Sequence, residues 1–442
     1  MNTKKTYSVI GIGIGPFNLG LAALLEPVNE LSSLFFDQSE EFNWHPGLML
    51  DSATLQTPFL CDCVSMADPT SHFSFLNFMK QTGRLYKFFI RENFFVLRKE
   101  YNAYCKWVAG QLLNCRFSHQ VKSVVFEDGL YQVSVLNLKT KETKTYFAKK
   151  LALGTGTRPD VPDFVKKADF QNVIHTSAYL NRKAEMLESR SVTIIGSGQS
   201  AAEVFYDLLP QTKHGLQLNW FTRPDRFFPM EYSKLSLELT SPEYIDYFYN
   251  MPAAKRKQML TMQKSLFKGI SFDLINQIYD LMYEMTVGDE EISVQLRPNI
   301  QLDHINAEAD DTYTLELTHV AQQKKFYSTA DFVVLGTGYT YHEPEFLQGI
   351  KERISRSENG LYAVNRNYTI DHNASEIFVQ NAESHTHSFI STDLGMGAYR
   401  NSIIINQLAE REVYKVEERI AYQEFGLEES PVLFNDLDTV IL

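Results

Sequence analysis

Two glycine turns and one closely spaced cysteine pair are the stretches of this 442-residue chain whose residue types and spacing could do chemistry. The first turn, Gly11-Ile12-Gly13-Ile14-Gly15-Pro16, follows the run YSVIGI and opens an apolar helix. Asp37 then closes the next apolar strand, SLFFD, about 20 residues on, as a dinucleotide site would require. Proline stands where a third glycine is usual, so the assignment rests on the strand, turn and helix around it. Glycines let the backbone approach a pyrophosphate, the helix N-terminus offers free N–H groups to its charge, and the acid can bond ribose hydroxyls. The second turn, Gly196-Ser197-Gly198-Gln199-Ser200, sits in the same grammar, RSVTIIGSGQSAAEVFYDLL. After its next strand comes Thr222-Arg223 instead of an acid. An arginine there suits a ribose 2′-phosphate and favours NADPH over NADH. Two dinucleotide turns, with the strand ending LGTG at 153–156 and again at 335–338, imply a flavin and a nicotinamide cofactor working together. In such a protein the cofactors carry the hard chemistry and the protein positions them.

The remaining reactive residues add little. Cys61-Asp62-Cys63, within FLCDCVS, has the wrong spacing for a CxxC or CxxxxC redox pair and no ligand partners for a metal. His385-Thr386-His387 also lacks partners at ligand spacing and reads as a polar loop, so no metal site is expected. No serine sits in a GxSxG elbow, and no protein nucleophile is expected.

The elements that must position these turns follow from composition and periodicity. The net charge of −12 argues against a general nucleic-acid or anionic-membrane binder, and 44% hydrophobic residues supply cores for two or three domains. Four cysteines are too few for a disulfide framework and no cleavable leader opens the chain, so a cytoplasmic protein is expected. Short alternating strands, VKSVVF and YQVSVL, predict a small meander before KLALGTG; SPEYIDYFYNM and SFDLINQIYDLMYEM predict a helical insertion; a helix is expected from Asp393 to about Glu410. The fold class is therefore α/β, with two dinucleotide-binding, Rossmann-like domains and a small helical substrate domain. The expected boundaries are residues 1–165 and 328–442 for FAD, 166–228 and 288–327 for NADPH, and 229–287 for the helical region.

The runs GIGPFNLGLAAL, FFDQSEEFNWHPG, LQTPFLCDCVSMADPTSHFSFLNFM, GSGQSAAE, VVLGTGY and NAESHTHSF occur in that order. Together they resemble, over nearly the whole chain, the flavin-dependent N-hydroxylating monooxygenases of siderophore biosynthesis, the lysine and ornithine hydroxylases. The resemblance implies an FAD enzyme that uses NADPH and O2 to hydroxylate the terminal amine of a small aliphatic substrate, commonly as a homotetramer. It implies a C4a-hydroperoxyflavin shielded from water and attacked by an uncharged amine. It also places Trp44, His45 and Gln56 along the flavin, with Gln56 by the substrate as well, Val121 near its adenine end, and Thr392, Asp393 and Leu394 by flavin and substrate.

Departures from the family pattern bear on the substrate. Cys61 stands where the resemblance implies a lysine that pairs with an amino acid's α-carboxylate. Leu237 and Phe267 stand where the ornithine enzymes keep two asparagines, and Ser388 replaces the glycine of a shared THG. A carboxylate left unpaired in such a pocket costs several kcal/mol. An amine without a carboxylate is therefore expected, putrescine or cadaverine first, with Asp393 receiving the distal ammonium. Histamine, lysine or ornithine as substrate, and a vestigial flavin-binding protein, are the alternatives.

Overall fold

The computed structural model describes residues 5–288, 290–310 and 312–427. The apolar run Thr6–Ile12 forms a strand between two parallel neighbours, Ser33–Phe36 and Thr143–Leu153, in a seven-stranded sheet. Val9, Ile10 and Ile12 are buried, as a parallel strand covered on both faces requires. Helix Pro16–Leu25 starts with proline in its first turn, where no N–H is needed, and buries Asn18 to Leu25. It packs against the late helix Gly397–Ala409.

The predicted meander is present. Strands His119–Glu127 and Leu130–Asn137 pair antiparallel with each other and then with Thr143–Leu153, and the alternating Tyr131, Val133 and Val135 face the core. The last strand continues into the parallel part of the sheet, so its LGTG end lies beside the first glycine turn. Gly13 adopts φ +87°, and a Cβ there would come within 2.3 Å of the Gly154 carbonyl oxygen. Only glycine permits that approach.

A second sheet has five parallel strands in the order Val173–His175, Phe332–Gly336, Ser191–Gly196, Gln217–Phe221 and Val294–Arg297. This corrects the expected boundary at 328. The unbroken apolar FVVL is buried on both faces beside Val192 to Gly196, inside the second sheet and not the first. Helix Phe272–Met285 also leaves the expected helical region: Leu274, Ile278 and Met285 pack into the core formed by Ala202, Phe205 and Trp220. The insertion keeps a smaller core, Tyr244, Ile245 and Phe248 against Phe389, Ile390 and Met396. The late helix begins at Gly397 and not at Asp393, because Asp393 is extended and its carboxylate accepts the Gly395 N–H at 2.7 Å, capping a separate short turn.

The two sheets are joined along a packed seam. Leu48, Leu50 and Ala53 come from the first unit yet are buried in the core of the second. A Cβ on Gly47 would lie 1.8 Å from the Ser177 carbonyl oxygen. A two-stranded ribbon, Thr157–Pro159 against Tyr339–Tyr341, crosses between the units.

Candidate active site

Both glycine turns deliver a helix whose first N–H groups lack a side-chain cap. Gly15 and Gly198 are the N-cap residues, and with no side chain neither caps the free N–H groups of the helix behind it. Nothing lies within 4 Å of where a Cβ on Gly15 would stand, so a bulky anion can approach. Asp37 sits beside that turn, its carboxylate accepting the Ile14 N–H at 2.7 Å and the Ser39 N–H at 2.8 Å. Seven residues further on, Trp44 is held by its backbone N–H to Asn102 Oδ1 at 2.9 Å. His45 takes a left-handed φ of 49° and lies between the rings of Trp44, 4.9 Å away, and Tyr339, 5.7 Å away. Desolvation by the surrounding protein, then the charge of Arg98, pushes its imidazole down to about 4, so it is neutral at physiological pH. Val121 packs against the apolar core behind the meander.

At the second turn a Cβ on Gly196 would come within 2.4 Å of the Gly336 carbonyl oxygen. Ser197 and Ser200 are half-buried there. Gln199 is spent on cross-links: its Oε1 accepts the Ser271 N–H at 2.8 Å and the Gln56 side-chain amide at 3.3 Å, and its amide donates to Glu203 at 3.1 Å. Gln56, expected along the flavin, thus ties the first unit to the second turn. Glu203 receives Arg98 in a two-pronged pair at 2.7 and 2.9 Å. Arg223 is exposed and has no ion-pair partner among the described residues.

A third group of residues gathers between Cys61 and the turn at Asp393. The Cys61 sulfur lies 3.1 Å from where a Cβ on Gly395 would stand. Burial, with the Asp393 charge next, pushes the Cys61 thiol up to about 12, so it is neither nucleophile nor ligand at neutral pH. Burial also raises the Asp393 carboxyl, opposed by the Gly395 N–H. Tyr232 faces both groups, its hydroxyl raised by desolvation and then by their charges. Asp393 has no cationic partner among the described residues. Of the other expected substrate residues, Phe267 stacks on Phe389 at 5.6 Å with planes 9° apart, whereas Leu237 stays 38% exposed on a short helix. Thr392 is exposed, and Leu394 packs against the first core.

The rest of FLCDCVS is structural. Asp62 accepts N–H groups of Val64, Ser65 and Phe75 at 2.6–2.9 Å, and Cys63 is buried with its N–H on the Tyr104 hydroxyl. His385 and His387 form part of a short, partly buried helix instead of a polar loop, each held to a backbone carbonyl, of Tyr362 and Arg366 respectively. Sequence reasoning missed the Arg98–Glu203 pair and a buried Arg400–Glu383 pair. Glu203 did leave a signal: an acid interrupts the apolar face of AAEVF.

Comparison with known proteins agrees with this geometry. A family model described as L-lysine 6-monooxygenase/L-ornithine 5-monooxygenase matches residues 5–341. A putrescine N-hydroxylase of Shewanella oneidensis is 49% identical, covering 96% of this chain and 85% of the relative. Another, from Acinetobacter baumannii, is 44% identical over 96% of this chain and 95% of its own. Among solved structures, FAD-bound DfoA, the cadaverine monooxygenase of desferrioxamine biosynthesis in Erwinia amylovora, superposes with a TM-score of 0.94 at 46% identity, covering 97% of this chain and all of that one. With two Rossmann-like units, uncapped dinucleotide turns and this match, the chain belongs to the L-lysine 6-monooxygenase/L-ornithine 5-monooxygenase family of flavin-dependent N-hydroxylating enzymes.

Proposed function

We propose that this enzyme uses FAD, NADPH and O2 to N-hydroxylate one amine of a small diamine, putrescine or cadaverine, for hydroxamate siderophore biosynthesis. The observation that carries the substrate choice is Asp393. It is a half-buried carboxylate with no cationic partner among the described residues, beside Cys61, where a lysine for an amino-acid substrate would otherwise stand. A diamine offers what that environment lacks, a second ammonium, and brings no carboxylate to desolvate.

The uncapped turns fit both cofactors. Gly11, Gly13, Gly15, Pro16 and Asp37 would hold the FAD pyrophosphate and ribose, with Trp44, His45, Gln56 and Thr392 to Leu394 along the flavin and Val121 toward the adenine. Gly196 to Ser200 and Arg223 would hold NADPH. FAD, once reduced by NADPH, supplies the activated oxygen. The chain's own residues do the rest. Asp393 anchors the distal ammonium, and that charge draws its raised carboxyl back toward the ionised form. The reacting amine is then left in apolar surroundings, which favour its neutral, nucleophilic state. Neutral His45 adds no competing cation near the flavin, and the inert Cys61 adds bulk without charge. The first unit is assigned to FAD, the second, enlarged by Phe332–Gly336 and Phe272–Met285, to NADPH, and the smaller helical core to substrate. No described helix is long and apolar enough to cross a membrane. The family resemblance supports a cytoplasmic homotetramer, which light scattering on the purified protein tests.

The deciding experiment is amine-dependent hydroxylamine formation across putrescine, cadaverine, histamine, lysine and ornithine. Preference for either diamine is expected. Preference for an amino acid overturns the role given to Asp393, and a flavin that NADPH cannot bleach overturns the enzymatic reading.

A further inference from the structure

We infer that the buried Arg400–Glu383 pair is a positioning device that fixes the Thr392–Asp393 turn for coupled oxygen transfer. The inference rests on the proposed role of that turn beside flavin and amine. Arg400 is 2% exposed and Glu383 fully buried, and the two are in direct contact. Each holds a different end of the segment. Glu383 heads the short helix Ser384–His387, its backbone carbonyl accepting the N–H groups of Thr386 and His387 at 2.9 and 2.8 Å. Arg400 lies in the first turn of helix Gly397–Ala409 and reaches back, donating from Nη1 to the Ser391 carbonyl at 3.1 Å. The flat guanidinium also lies 4.4 Å from the Phe17 ring centroid, and Phe17 immediately follows the first dinucleotide turn. One side chain thus ties together the start of the segment, its middle at Ser391, and the helix that begins at the FAD turn.

Physical costs argue that the pair is retained for geometry. An apolar pair of similar volume is often as stable as a buried ion pair, because desolvation offsets much of the attraction. Burial raises the Glu383 carboxyl even with Arg400 beside it, consistent with a large desolvation cost. Arg400 Nε and Nη2 have no hydrogen-bond acceptor among the described residues, so the guanidinium is not optimally satisfied either. What the pair supplies, and a methionine pair would not, is a directed bond to the Ser391 carbonyl two residues before Asp393. A misplacement on the order of 1 Å at a reacting centre can cost about 100-fold.

The test compares wild type with E383Q and with the double variant R400M/E383M, which avoids an unpaired buried charge and so keeps the fold. FAD content, the rate of flavin reduction by NADPH, the amine KM, and product formed per NADPH consumed are read for each. Flavin content and reduction within about 2-fold of wild type are expected, with a 10-fold or greater rise in amine KM and a 5-fold or greater loss of coupling to hydrogen peroxide, on the order that misplacement produces. Folded, flavin-bearing double variant with wild-type coupling and KM overturns the inference, as does loss of reduction in parallel with coupling. Wild type that hydroxylates no diamine overturns the functional reading instead, so the two failures are distinguishable.

Discussion

Asp393→Asn keeps the shape of the side chain and its acceptor for the Gly395 N–H, but removes the charge that faces Cys61 and Tyr232. An ammonium about 4 Å from a carboxylate near a protein surface is worth about 4 kcal/mol at an effective dielectric of about 20. Asp393 is half-buried and not sealed, so solvent screens part of this, leaving about 2–4 kcal/mol. At about 1.4 kcal/mol per decade, the loss in kcat/KM for putrescine or cadaverine is about 30- to 1,000-fold. A monoamine of matching length, such as n-butylamine, has no distal charge and acts as the internal control. The assay is hydroxylamine formation with each amine in both proteins, with FAD content and NADPH-driven reduction measured alongside. The ratio of diamine to monoamine efficiency should collapse in Asp393→Asn while reduction holds. An unchanged ratio would falsify the placement of the ammonium, whatever happens to the absolute rates.

Three further outcomes follow from named contacts. Cys61→Lys places a cation against Asp393 and should lower diamine use by a comparable factor, leave flavin reduction nearly intact, and raise lysine or ornithine turnover. Arg223→Ala should cost about 10- to 100-fold in kcat/KM for NADPH and little for NADH, the value of charge-assisted bonds to a phosphate, read from initial rates with each nucleotide. His387 is held to about 3, far below its ordinary 6.5, chiefly by burial. The unfolded chain therefore binds a proton that the folded one refuses, and stability falls as pH drops below about 6.5. From about pH 7 to 5.5 this single group should remove about 1 kcal/mol, measured by urea unfolding, and His387→Phe should flatten that part of the profile.

Much of this was legible because short-range chemistry dictates it. A β-branched run, glycines and an apolar helix can satisfy their backbone groups in few other ways, so both turns and Asp37 were placed from sequence alone. The meander was visible because Tyr131, Val133 and Val135 alternate. What was not legible is pairing at long range. FVVLG at 332–336 has the signature of any buried parallel strand, and nothing local says which of two sheets it joins. SFDLINQIYDLMYEM reads as an amphipathic helix, but its apolar stripe does not name the surface that covers it. The same limit hid Arg98 and Glu203, which meet across 105 positions. FLCDCVS reads as unreactive from its spacing, but the company that Cys61 keeps with Asp393 and Tyr232 is a product of folding.

The seam around Gly47 has a consequence for folding. Because Leu48, Leu50 and Ala53 complete the second core, the second unit carries an apolar opening unless the first unit plugs it. The two halves should therefore melt together in one calorimetric transition, and a fragment beginning at residue 166 should aggregate instead of folding alone.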